Sequence, residues 1–116
     1  MINILFICMG NICRSPTAEG FMARHLSGSA YQDQLSIDSA GTHSYHIGFS
    51  PDSRAIETAA RYGVQLDHLR ARKVRNEDFF SFDLILAMDR SNLANLQAIS
   101  PADSTAIASW RFRRAM

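Results

Sequence analysis

The chain has 116 residues, 47% of them hydrophobic and 20% charged, with a net charge of +1. That balance fits one globular domain with room for a real core, at the small end for an α/β fold. It excludes a general attraction to nucleic acid or to a membrane surface, a spanning helix, since no apolar run approaches ~20 residues, and a signal peptide, since Met1 leads into an apolar run with no basic segment before it.

Ile2 to Ile7 lacks helical spacing and predicts a buried strand. A polar turn follows, holding Cys8, Met9, Gly10, Asn11, Ile12, Cys13, Arg14 and Ser15. It empties into a helix start at Ser15-Pro16, where Ser15 suits the cap, Pro16 the first position and Glu19 the positive helix end. Backbone N–H groups of such a loop converge on one point, and the helix dipole makes that point favour an anion such as phosphate. Gly10 lets the backbone bend close to the ligand. Cys8 at the strand end and Arg14 six residues later are placed over one cavity, Arg14 as a planar bidentate donor to phosphate oxygens. The helix end and the guanidinium both favour thiolate, the nucleophilic form of Cys8. Ser15 is placed to hydrogen-bond the sulfur, and Asn11 to hold the loop open through its amide.

Ala18, Phe21, Met22 and Leu26 carry helical spacing to about Ser27, with Gly28 as the stop, and a second strand is expected over 35–40. Strand, helix, strand is a βαβ unit with parallel pairing and a right-handed crossover. The segment 41–50 is a turn-rich loop carrying His43, Tyr45 and His46; the histidines lack a metal-ligand set and are expected in solvent. Pro51-Asp52-Ser53-Arg54 opens a second helix with Ala55, Ile56, Ala59 and Ala60 on one face and Gly63 past its end. Residues 64–74 are an irregular connection whose Arg70, Arg72 and Lys73 form a solvated basic face. A helical turn over 76–80 and a buried strand over 82–88 follow. Asp89 or Ser91 then caps a helix with the stripe Leu93, Leu96 and Ile99.

The string CMGNICRSP resembles the C-x5-R-S signature loop of the low-molecular-weight protein tyrosine phosphatases, including the second cysteine, the Gly-Asn pair, the Ser-Pro exit and the N-terminal position. The strand before it and the helix after it supply the context that a bare C-x5-R lacks. The strings S-P-D-x-R at 50–54 and MDRSNL at 88–93 extend the resemblance from Met1 to about Pro101. It implies a three-layer α/β/α fold with a small parallel sheet of flavodoxin-like topology. It also implies hydrolysis of a phosphomonoester, on a phosphotyrosine protein or a small aryl phosphate, in the cytoplasm. Cys8 is then the nucleophile, passing through a phosphocysteine, and Arg14 and the loop from Met9 to Ser15 hold the phosphate without a metal.

In that family the aromatic of the second loop walls the substrate cleft, and Tyr45 matches it; local packing is the plainer account of a loop aromatic. A pair matching Cys8 and Cys13 closes a reversible disulfide there, so Cys13 is either a redox partner or a small buried filler. Two cysteines fit a reducing compartment, and two further ligands for zinc are missing. A histidine preceding the family's basic pair bonds the loop asparagine; His68 is out of step with it but within reach of Asn11.

The resemblance ends near the C-terminus, so the expected domain is 1–103 and the atypical basic tail 104–116. Members are longer by some tens of residues and carry an Asp-Pro pair whose aspartate protonates the leaving phenolate. Here Pro16, Pro51 and Pro101 each follow a serine, and no general acid is assigned. Residues 106–112 alternate as an edge strand would, or form a disordered basic end. The family's final helix has no counterpart, which predicts an open sheet face, poor solubility or self-association, and a truncated or frame-shifted end. Three other readings are an arsenate reductase, for which the relay cysteines are missing, a phosphoarginine phosphatase, against which Ile12 stands where a threonine is expected, and a phosphate-binding remnant without turnover.

Overall fold

In the computed structural model, which describes residues 1–101 and 106–109, the chain is a four-stranded parallel sheet with helices on both faces. Strand β1 is Ile2–Cys8, helix α1 Arg14–Leu26, strand β2 Leu35–Gly41, helix α2 Ser53–Arg61, helix α3 Asp78–Ser81, strand β3 Leu84–Ala87, helix α4 Arg90–Ile99 and strand β4 Ala106–Ser109. The strands lie in the order β2-β1-β3-β4, with Cys8 opposite Gly41 and Ile7 opposite both Ala40 and Ala87. From β1 the chain steps to one edge through α1, and from β3 to the other through α4. Right-handed crossovers in opposite directions put those two helices on opposite faces. The reversal lies between β1 and β3, and in open α/β sheets ligands bind at the carboxyl ends of the strands beside such a switch point. Cys8, the last residue of β1, stands there.

Alternation along β1 divides its side chains between the layers. Leu5 and Ile7 join Ala40, Ile85 and Ala87 in a core closed by Val74, by Phe79 of α3 and by Leu96 of α4. Each of the larger side chains among them adds roughly 1.5–3 kcal/mol by leaving water. A second cluster, Ala59, Val64 and Leu66, seats α2, and Gly20 of α1 lies directly over it: a Cβ at Gly20 would stand 2.2 Å from Leu66 Cδ2.

Helix punctuation follows the sequence at the C-terminal ends, where Gly28 and Gly63 take φ of 76° and 75° just past α1 and α2. Elsewhere the structure departs from expectation. The N-cap of α1 is Cys13, without a side-chain hydrogen bond, so Ser15 is not the cap and Pro16 is the third helical residue, where its missing N–H still costs nothing. Phe21 is exposed and meets the Tyr62 ring at 6.0 Å, and Ile99 is exposed at the end of its stripe. Residues 106–109 form the parallel edge strand that the alternation allows, with Ile107 packed on the main core. The rest of the expected tail, 104–105 and 110–116, lies outside the described residues. Among the described residues no helix is long and apolar enough to cross a membrane.

Candidate active site

The loop between β1 and α1 is held from outside by its carbonyl groups. Thr42 N–H donates to Cys8 O at 3.0 Å, His43 N–H to Met9 O at 3.0 Å and Asp52 N–H to Ile12 O at 2.6 Å. Among the described residues no main-chain acceptor takes the N–H groups of residues 9–13. Loop carbonyls held from outside leave the loop N–H groups available at a helix N-terminus, where an anion is favoured. The left-handed residue of the turn is Asn11, with a φ of 57°. Gly10 instead makes room for a ring, since a Cβ there would stand 2.8 Å from His46 Cδ2.

Cys8 is buried, and its Sγ lies 2.9 Å from Ser15 Oγ. The hydrogens available to that bond follow from counting protons. Asn11 Nδ2 has two hydrogens, and donates to Ser15 Oγ at 2.8 Å and to Ser39 Oγ at 2.9 Å. Ser39 passes its own hydrogen to Glu19 Oε1 at 2.6 Å. Ser15, an acceptor from Asn11, keeps its own hydrogen, which it can give to the sulfur when Cys8 is a thiolate. Asn11 is buried with its oxygen also taken, by Arg72 N–H at 3.0 Å. Its amide is thus the hub of the loop.

Glu19 does not serve the helix end. It faces Ser39, and burial, partly offset by the Ser39 hydrogen bond, pushes its carboxyl up from the ordinary value. His68 does not reach Asn11; it lines a separate groove with Glu19, and the backbone of Arg72 takes the place expected for it. Nor is the basic segment simply solvated. Arg72 forks onto Asp78 at 2.8 Å and 3.3 Å and reaches Asp38 at 3.1 Å. Burial alone would pull its pKa down, but the two carboxylates outweigh it and hold it above the ordinary value. Arg70 does turn to local carbonyls, those of Asp67 and Leu69.

Arg14 stands half-exposed at the mouth, its Nη1 2.8 Å from Asp89 Oδ2, with Asn92 Oδ1 at 3.5 Å from Nη2. Asp89 is also the N-cap of α4, as one of the two expected candidates, accepting from Asn92 N–H at 2.7 Å. The Asn92 amide first, and then Arg14, hold its carboxyl below the ordinary value. A lowered carboxyl contributes stability above its unfolded pKa and loses it as pH falls through the folded one. Asp89→Ala is therefore expected to cost about 1 kcal/mol at neutral pH, the usual worth of an N-cap. That deficit shrinks as acid below roughly pH 4 protonates the wild-type carboxyl; thermal unfolding of both proteins over an acid series reads it.

Cys13 is exposed, which removes the reading of it as a buried filler. Tyr45 is 68% exposed and stacks on His43 at 5.2 Å, while His46 meets both Tyr45 and Phe49, so one aromatic rim borders the loop on the Gly10 side. Among the described residues no group of three or more His, Cys, Asp or Glu is placed to hold a metal ion.

The sequence places Cys8, Arg14, Asn11 and Ser15 at one point; the structure links Cys8, Ser15 and Asn11 by hydrogen bonds, while the Arg14 guanidinium pairs with Asp89 and Asn92. It adds Ser39, Asp89, Asn92 and Arg72. Ser39 had one available signal: two rungs before Gly41, it lies near the end of a strand expected to run parallel in the same βαβ unit as Cys8.

Residues 3–111 match the family model described as low molecular weight phosphotyrosine protein phosphatase. A putative low molecular weight protein-tyrosine-phosphatase of Synechocystis is 46% identical over 101 residues, covering 87% of this chain and 64% of that one. The low molecular weight phosphotyrosine protein phosphatase of Schizosaccharomyces pombe is 42% identical over 106 residues, 90% of this chain and 67% of its own. A crystal structure of a protein tyrosine phosphatase from Entamoeba histolytica superposes with a TM-score of 0.83 at 40% identity, over 88% of this chain and 65% of that one. The chain thus spans about two thirds of the length of the relatives it matches.

Proposed function

The chain belongs to the low molecular weight phosphotyrosine protein phosphatase family, and from that premise we propose that it hydrolyses phosphomonoesters through a phosphocysteine on Cys8. The observation that carries the reading is the buried sulfur of Cys8, hydrogen-bonded to Ser15, at the start of a loop that leads into a helix N-terminus. In this scheme the loop from Met9 to Ser15 and Arg14 hold three phosphate oxygens. The thiolate attacks phosphorus, the S–P bond forms and the ester P–O bond breaks. Water then attacks the phosphocysteine, the S–P bond breaks, and phosphate and thiolate are restored. Loop amides and Arg14 supply the electrostatic stabilisation, the kind of preorganised donors that are worth most in such reactions.

The leaving oxygen needs a proton when it is a poor leaving group. No aspartate of this chain precedes a proline. The carboxylate beside Arg14, Asp89, is held below the ordinary value and so is ionised at neutral pH, unfit to donate. General acid help is typically worth ~10²–10⁴-fold, so the 116-residue chain assayed as it stands is expected to be slow on phosphotyrosine and faster on esters with stable leaving groups. The substrate class remains an aryl phosphate or phosphotyrosine protein, with Tyr45 on the rim as a wall for the ring. Cys13, exposed five residues from the nucleophile, is assigned as its redox partner, which fits a cytoplasmic protein kept reduced. Self-association is part of the same reading; Leu84 and Leu86, only half-buried on the sheet face opposite Ile85, support it.

Hydrolysis of p-nitrophenyl phosphate by the purified 116-residue chain, beside a Cys8→Ser control, tests the proposal. Turnover absent from the control is expected. Stoichiometric capture without release by folded protein would replace the enzyme reading with a phosphate-binding one.

A further inference from the structure

We propose that Arg72 is a positioning residue for the anion loop, acting on Cys8 through Asn11; the inference deepens the phosphate-loop reading and rests on it. Asn11 is the one non-glycine residue with positive φ among those described, a strained conformation that persists where its surroundings hold it. Its side chain is held at three points, two of them the hydroxyls of Ser15 and Ser39. The third is the main-chain N–H of Arg72, 61 residues away in sequence. Where the backbone of Arg72 sits therefore decides whether the Asn11 oxygen has its donor. If it does not, the amide is free to turn, and its hydrogen bond to Ser15, the partner of the Cys8 sulfur, is no longer fixed.

Two things fix that backbone. Gly41 N–H donates to Arg72 O at 2.8 Å and Val74 N–H to Gly41 O at 2.8 Å, so residues 72–74 form a rung on the end of β2. Gly41 is itself wedged under the loop, since a Cβ there would stand 2.6 Å from Met9 O. The second anchor is the Arg72 guanidinium. It forks onto Asp78, nearly fully buried at the start of α3, and reaches Asp38 on β2. Asp78 accepts in addition from Arg75 N–H at 2.7 Å, so the same carboxylate holds the rung at both ends. A planar fork is what this geometry requires, and lysine reproduces its charge but not its two directions. The side chain thus sets the main chain, the main chain sets Asn11, and Asn11 sets Ser15, the hydrogen-bond partner of Cys8.

Alkylation of Cys8 by iodoacetamide, and its protection by inorganic phosphate, read the loop without needing turnover. The 116-residue chain is compared with Arg72→Gln, Arg72→Lys, the milder Asp38→Asn and, as control, Arg70→Gln, whose side chain lies in the same segment but outside the clamp. Arg72→Gln is expected to raise the phosphate concentration for half-protection about 10-fold, the effect of losing one well-placed hydrogen bond, and to change the alkylation rate without phosphate. Arg72→Lys recovers part of the loss, Asp38→Asn shows a smaller loss, and Arg70→Gln matches wild type. Unchanged protection and unchanged alkylation in folded Arg72→Gln, or in Asp38→Asn should Arg72→Gln fail to fold, overturn the proposal. So does an Arg72→Lys variant no better than Arg72→Gln. Wild-type protein that phosphate does not protect would sink the phosphate reading alone, and the alkylation rates would still decide on Arg72.

Discussion

Replacing Cys8 by serine is expected to remove p-nitrophenyl phosphate turnover by ~10⁴-fold or more, the scale seen when a covalent catalyst loses its nucleophile. The substitution is nearly isosteric, and the buried position keeps its neighbour Ser15 as partner, so the fold and the loop are expected to persist. The hydroxyl is a far weaker nucleophile than thiolate at neutral pH, and among the described residues the hydrogen-bond partner of the sulfur is Ser15, which is not a base. Phosphate should still stabilise the variant against heat, because the amides of the loop are main-chain groups. Retained binding with lost turnover separates the chemical role of the sulfur from the shape of the cradle.

The second large effect is expected at Arg14. Arg14→Ala should lower kcat/KM by about 10²–10³-fold, the usual cost of one donor aimed at developing charge. Arg14→Lys should recover little of it, since an ammonium cannot span two phosphate oxygens. The effect is not one of folding: the Arg14–Asp89 pair is half-exposed on both sides and worth at most about 1 kcal/mol. Steady-state kinetics beside thermal unfolding checks both halves. A variant that loses stability and activity together would argue that Arg14 is structural. Asp89 holds the Arg14 guanidinium at 2.8 Å, so it also has a part in aiming it.

The strand, loop and helix that make the cradle were legible because their signals are local. An apolar run, a polar turn and a helix start fall within the first 20 residues, and each is read from neighbours. The cap assignment failed for a related reason. Ser15 has the composition of a cap, yet its hydroxyl is committed to the sulfur, and a functional site is where local rules are expected to give way. Arg72 was illegible because a basic run looks the same in sequence whether solvated or clamped. Its partners Asp78 and Asp38 lie 6 and 34 residues away and on different elements. The cap at Asp89 was visible, whereas its bond to Arg14, 75 residues distant, needed the order β2-β1-β3-β4 to bring the ends of β1 and β3 together. The left-handed Asn11 hid beside Gly10, since glycine is the usual owner of a positive φ and here the asparagine takes it.

The most direct measurement is the turnover of p-nitrophenyl phosphate and of phosphotyrosine by the same folded 116-residue preparation at neutral pH. The account predicts release from p-nitrophenyl phosphate, whose leaving group needs no proton, and release from phosphotyrosine slower by ~10²–10⁴-fold, the worth of a general acid. No release from either, in protein that still binds phosphate, would contradict the claim that this loop and its cysteine carry out phosphoryl transfer.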